Sequence, residues 1–169
     1  MQNWRKYVPY GILALVIVAA AASGLWLHLR QLQHHAQEQE LVKQTESWRI
    51  SLSEAELDLL ARVVHAEAKG EPYEGQVAVA AVIINRVQHP EFPNTISGVV
   101  YEPLAFQVVA NGTVNKPAGE SAIRAAHDAL NGFDPTGGAI YFFNPTKTAN
   151  AWIRRRPVTK TIGKHVFAT

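Results

Sequence analysis

Residues 52–87 read LSEAELDLLARVVHAEAKGEPYEGQVAVAAVIINRV. Ser53 and Glu56 form an S-x-x-E pattern, a capping box that predicts a helix starting near residue 54. Leu57, Leu60, Ala61, Val64 and Ala68 follow at i, i+3, i+4, i+7 spacing and make one apolar face. Lys69, Gly70 and Pro72 supply the stop: a cation in the last turn, a left-handed cap residue and a proline beyond. The next segment, Gly75 to His89, is apolar nearly all round from Val77 to Ile84. Its length and its alanines predict a central buried helix rather than a strand. An amphipathic helix followed by a buried one sets a mainly helical core. Asn85 and Arg86 end the apolar run and are read as ties between helix and loop.

Glu67 is the residue out of place in this stretch. At about 100° per residue it lies almost above Leu60 and beside Val63 and Val64. It therefore sits on the edge of the core-facing stripe, in the last helical turn. Desolvation by these neighbours disfavours its carboxylate, and so does the negative end of the helix dipole. A carboxyl held protonated near neutral pH is suited to general acid work. Glu71 and Glu74, just past the cap, add like charge but read as solvated. The competing reading of Glu67 is a buried carboxyl that hydrogen-bonds a loop backbone.

Downstream, HPEFPNT (89–95) is a proline-marked loop. Val99 to Glu102 and Phe106 to Val109 are candidate short strands or turns. Residues 120–132, ESAIRAAHDALNG, predict a helix stopped by Gly132. Ile140 to Phe143 predict a strand ending at Asn144-Pro145, and 148–153 a short helical turn. A last short strand is expected near His165 to Phe167. The fold class is α+β, mostly helical with a few short strands.

Composition bounds the rest. The chain has 169 residues, 47% hydrophobic and 18% charged, with a formal net charge of +2. That is a folded composition without a general nucleic-acid signature. There are no cysteines, so disulfides, thiolate metal sites and a cysteine nucleophile are excluded. Residues 7–29, YVPYGILALVIVAAAASGLWLHL, carry no Asp, Glu, Lys or Arg and are long enough to cross a bilayer of roughly 30 Å. Tyr7, Tyr10 and Trp26 near its ends suit the membrane interface. Residues 1–30 are thus expected to be a membrane anchor, with the later domain on the extracytoplasmic side. A signal peptide cut near Ala20-Ala21-Ala22-Ser23 is the alternative. Residues 31–51 read as a polar helical stalk, although His28, His34 and His35 also suggest a metal-binding tract. Residues 52–169 form the globular domain.

Three blocks carry a resemblance: ARVVHAEAKGEPYEGQVAVAAVIINRV, HPEFPNTISGVVYEPLAFQVV and AIYFFNPTKTANAWIRRRPVTKTIGKHVF. In their order they resemble the catalytic domain of the spore-cortex-lytic enzyme and cell-wall hydrolase family (the SleB/CwlJ type), over about residues 52–168. The resemblance implies a lysozyme-like helical core that cleaves peptidoglycan without a cofactor. It also implies that the essential glutamate of the Ala66-Glu67-Ala68-Lys69-Gly70-Glu71 block is Glu67. Some family members carry an N-terminal peptidoglycan-binding repeat. This chain has an apolar span and stalk instead, which suggests a membrane-tethered relative.

Hydrolysis of a glycoside usually takes two carboxylates. No second acid lies on a comparable apolar face: Asp128 reads as surface, and Asp134 and Glu102 as turn residues. One acid suffices if the substrate supplies its own nucleophile, as in a lytic transglycosylase. Under that reading Gln107, Tyr141, Phe143, Asn144 and Trp152 are candidates to bind sugar, each with ordinary packing as its alternative. Trp152 is the strongest stacking platform. Arg154, Arg155 and Arg156 are candidates to meet wall carboxylates, Arg154 first, against a default of a solvated face. His65 and His165 are further hydrogen-bonding candidates. The rival functions are a metal-dependent amidase and a catalytically silent, membrane-tethered wall-binding module. The histidines of the domain have no ligand-like spacing and no H-E-x-x-H is present. Nucleic acid is not an expected partner, and no regulatory protein partner is identified by the sequence.

Overall fold

The computed structural model describes residues 23–39 and 49–169. The chain divides into two compact units, Met1–Glu46 and Ser47–Thr169. Of the first, residues 23–39 are helical and exposed, with the Arg30 guanidinium 4.0 Å from the Trp26 ring centre. The expected apolar span over 7–29 lies largely outside the described residues. Among the described residues, no helix is long and apolar enough to cross a membrane.

The second unit is built on two helices in direct succession, α1 (Glu54–Ala68) and α2 (Tyr73–Gln88). The capping box forms as expected: the Ser53 hydroxyl accepts from the Glu56 N–H at 3.3 Å, and the Glu56 carboxylate accepts from the Ser53 N–H at 3.4 Å. The stop differs in one respect. Gly70 does not adopt a left-handed conformation. Lys69 caps α1 in right-handed geometry, the Glu71 N–H bonds the Ala68 carbonyl at 2.9 Å, and Pro72 opens α2 directly. With so few residues between the helices, the chain reverses within one right-handed turn.

Every residue of α2 from Gly75 to Arg86 is buried. This central helix packs against α1 and against α5 (Glu120–Leu130). The α5 face of Ala122, Ala125, Ala126, Ala129 and Leu130 is small, which lets the helices approach closely. Arg49 ties the start of the unit down: its N–H bonds the Leu130 carbonyl, and its guanidinium bonds the side chains of Asn85 and Gln88.

Two expected strands or turns are short helices instead, α3 (Ile96–Val100) and α4 (Gln107–Ala110). Thr95 caps α3 by accepting the Gly98 N–H at 3.0 Å. Segments this short show no helical period, and their valines bias a reading toward strand. The expected helical turn over 148–153 falls slightly later, as a 3₁₀ turn over Ile153–Arg155.

The sheet has three antiparallel strands: β1 (Tyr141–Phe143), β2 (Val158–Ile162) and β3 (His165–Ala168), in the order β1-β3-β2. Phe142 pairs with Phe167 and Phe143 with Val166 across β1 and β3. Strand β2 was not expected. Four of its five residues are exposed, so as an edge strand it carries no apolar alternation to read. A tight turn at Gly163 joins β2 to β3. The architecture is thus mainly helical with a small sheet packed against α2.

Candidate active site

Glu67 occupies the last turn of α1, half-buried. It lines a cleft of about 420 Å³ whose walls come from five parts of the fold. The end of α2 supplies Arg86. Leu104 to Gln107 form one lip, and Phe142 to Asn144 lead out of β1. Lys147, Thr148 and Ile153 form the opposite loop, and β3 contributes His165. Among the residues lining this cleft, Glu67 is the one carboxylate.

Burial pushes the Glu67 carboxyl above its ordinary value of 4.5. The Lys147 ammonium and a hydrogen bond from the Val108 backbone amide pull the other way without cancelling the rise. Desolvation is therefore the cause, as the helical pattern implied. The Glu71 carboxylate has a structural role: it accepts the Lys164 N–H at 2.8 Å. It is half-buried rather than solvated, and it pins the β2–β3 turn to the end of α1.

Of the predicted sugar-binding residues, Gln107, Phe143 and Asn144 line the cleft with Glu67. The Asn144 side-chain Oδ1 accepts from the Thr146 N–H and hydroxyl, at 2.9 and 2.7 Å. Its amide N–H groups are what it can offer a ligand. Tyr141 and Trp152 do not line the cleft but stand edge to face with ring centres 5.3 Å apart. The Arg156 guanidinium covers both rings, 4.1 Å from Trp152 and 4.8 Å from Tyr141. Trp152 keeps 53% of its surface exposed, so one flank of the indole is open to a ligand. Arg154 does not line the cleft either. Its guanidinium donates to the backbone carbonyls of Thr148 and Pro145 and so clamps the loop that carries Asn144 and Lys147.

The lining residues that the sequence does not mark as site residues include Lys147, Arg86 and Phe106. Lys147 sits in an irregular loop, where no period marks it. Arg86 was read as a tie, and it is one, since its Nε donates to the Ile140 carbonyl at 2.7 Å. Its guanidinium also lies between 5.1 and 5.7 Å from the ring centres of Phe92, Phe106 and Tyr141. Phe106 follows a turn and carries no motif.

The histidines separate clearly. His65 Nδ1 accepts the Gly119 N–H at 3.2 Å, which is a structural contact outside the cleft. His165 lines the cleft and is only 7% exposed, and its Nδ1 is buried without a hydrogen-bond partner. Burial holds its pKa below the ordinary 6.5; Glu71 opposes this, and Lys147 and Lys164 reinforce it. The ring is neutral at neutral pH, so it can donate or accept a hydrogen bond but does not bring charge.

Asp134 and Asp128 have structural partners. Burial alone would raise the Asp134 pKa, but hydrogen bonds from Thr136, Asn85 and Gly138 hold it below 3.8. Asp128 is half-buried rather than on the surface, and it accepts the Tyr73 hydroxyl at 2.7 Å. Among the described residues, no group of three His, Asp or Glu side chains is placed to hold a metal ion.

Comparison with known proteins places the domain in a family. The model of a family described as cell wall hydrolases matches residues 70–168. A spore cortex-lytic enzyme of Halalkalibacterium halodurans is 55% identical over 115 residues, covering 68% of this chain and 35% of that protein. The chain spans well under half the length of the first curated relatives it matches. The crystal structure of the catalytic domain of the Bacillus cereus SleB protein superposes with a TM-score of 0.68 at 50% identity, covering 73% of this chain and 96% of that one. The catalytic domain of a germination-specific lytic transglycosylase, SleB from Bacillus anthracis, gives 0.67 at 51% identity, covering 70% and 97%. A structurally matched catalytic domain is thus covered almost whole, and the chain belongs to the cell wall hydrolase family.

Proposed function

We propose that the domain is a lytic transglycosylase that cuts the glycan of peptidoglycan between N-acetylmuramic acid and N-acetylglucosamine. The observation that carries this reading is the single desolvated carboxylate in a cleft lined otherwise by neutral, aromatic and cationic groups. A two-carboxylate mechanism needs a partner acid about 5–10 Å away, on the other face of the sugar. Asp134 is held by hydrogen bonds from Thr136, Asn85 and Gly138, and Glu71 accepts the Lys164 N–H.

Glu67, protonated, gives its proton to the glycosidic oxygen as that bond breaks. As carboxylate it then takes the proton from the C6 hydroxyl of the muramic residue. That oxygen closes onto C1 to form a 1,6-anhydro ring, so no water is consumed and Glu67 regains its starting state. Lys147 and the Val108 amide favour the carboxylate that exists between the two steps. Gln107 and Asn144 offer side-chain amides to the acetamido groups, and the open flank of Trp152 offers a stacking surface just outside the cleft. The reading is tested by the ends of the fragments released from peptidoglycan. Anhydro-muramic ends are expected. Free stem peptides would mean amide-bond cleavage, and intact glycan with retained binding would mean a wall-binding module.

Lys147→Met gives an independent check on the acid. Lys147 pulls the Glu67 pKa down, so its removal lets that pKa rise further. The alkaline limb of kcat/KM is expected to move to higher pH, and Lys147→Arg is expected to keep it in place. An unmoved limb would show that Glu67 does not govern it.

The reading includes a role in spore cortex lysis or wall remodelling. It also includes a membrane anchor over 1–30, a stalk over 31–51 and an extracytoplasmic catalytic domain, supported by the charge-free run 7–29. Membrane fractions that retain the full chain after an alkaline carbonate wash would agree with the anchor. Release into the soluble fraction would contradict it.

A further inference from the structure

Leu104 is a residue at odds with its own backbone. The Ala105 N–H bonds the Glu102 carbonyl at 3.1 Å, so Glu102, Pro103, Leu104 and Ala105 form a β-turn. Pro103 takes the second position and Leu104 the third, with φ at +65°. That is the pattern of a type II turn, whose third position favours glycine or asparagine. Among the described residues, Leu104 is the sole non-glycine with positive φ. A leucine there crowds its Cβ against the carbonyl and destabilises the turn.

Packing does not offset this strain. The side chain is fully exposed, at 102% of the reference surface, and so buries nothing in this chain. A branched apolar side chain in a glycine position, with no partner in the fold, is explained by contact with something outside the fold. Its position says what. Leu104 lines the cleft beside Glu67, directly before Ala105, Phe106 and Gln107. Phe142, Phe143 and Ile153 continue the apolar lining on the other walls.

We infer that Leu104 is a substrate-contacting residue, the apolar lip of the cleft, which packs on the C–H and acetamido-methyl surface of the glycan. The inference rests on the reading of the cleft as a glycan site. Strain in the turn is thereby exchanged for grip on the polymer.

The test compares Leu104→Ala, Leu104→Gly and Glu67→Gln in the full chain, with peptidoglycan as substrate. Leu104→Ala keeps the strained conformation and removes the apolar body. KM is expected to rise about tenfold with kcat within about twofold, and the unfolding midpoint to stay in place. Leu104→Gly is expected to lose binding to a similar degree while the midpoint rises by about 3 °C, because the turn is relieved. An unchanged KM in both variants, with Glu67→Gln inactive, would overturn the role of Leu104 and leave the glycan site standing. A lower midpoint in Leu104→Ala would also overturn it, since the side chain would then be packing within the fold. If Glu67→Gln keeps full activity, it is the glycan-site reading that fails.

Discussion

Glu67→Gln is expected to reduce glycan cleavage by about a thousandfold or more while leaving the protein folded. The amide keeps the shape and the Val108 hydrogen bond but neither gives nor takes a proton. The same substitution is expected to stabilise the fold at neutral pH, and the sign follows from the raised pKa. The folded protein holds the Glu67 proton more tightly than the unfolded chain does. Below the ordinary carboxylate range the protonated side chain costs nothing extra. As pH rises through the folded pKa, the buried carboxylate destabilises the native state. The gain in the glutamine variant should therefore be small in acid and grow toward neutral pH, as read by thermal unfolding over a pH series. Lower activity together with higher stability marks a residue retained for chemistry. A variant that loses both would make Glu67 a structural carboxyl bonded to the Val108 backbone, the competing reading from the sequence.

Gly163→Ala is expected to destabilise the domain by about 2–4 kcal/mol and to lower activity with it. Gly163 sits between β2 and β3 with φ at +57°, which an alanine adopts at a cost. Its neighbours leave no room either. A Cβ built there overlaps Glu71 Oε2 and lies 2.9 Å from Pro72 Cδ. Moving the Glu71 carboxylate aside gives up its bond to the Lys164 N–H. His165 follows two residues later and lines the cleft, so the displacement reaches the site. Removing the overlap should recover part of the loss: Glu71→Ala combined with Gly163→Ala is expected to cost less than the sum of the two. Strict additivity in denaturant titrations would show that the carboxylate and the turn are not coupled.

The core was legible in the sequence because its signals are local. A capping box, an apolar face and an all-round apolar helix each depend on near neighbours, and α1, α2 and α5 form accordingly. Glu67 was legible for the same reason, since helical geometry alone sets it beside Leu60, Val63 and Val64. Strand β2 was not, because an exposed edge strand shows no alternation. Lys147 and Arg86 were not legible as site residues, because the cleft joins segments far apart in the chain. The Arg154 clamp on the Asn144–Thr148 loop is likewise a contact between side chain and backbone that spacing does not encode. Glu71 shows the converse error: a carboxylate past a helix end reads as solvated until a distant turn folds onto it.

The most direct measurement is digestion of peptidoglycan by the full chain in water enriched in heavy oxygen, with mass spectrometry of the released glycan ends. If Glu67 acts alone and the muramic C6 hydroxyl is the nucleophile, the ends are 1,6-anhydro rings carrying no heavy oxygen, and they are absent with Glu67→Gln. Reducing ends that carry the label would show that water is the nucleophile, and the single-carboxylate account would be wrong.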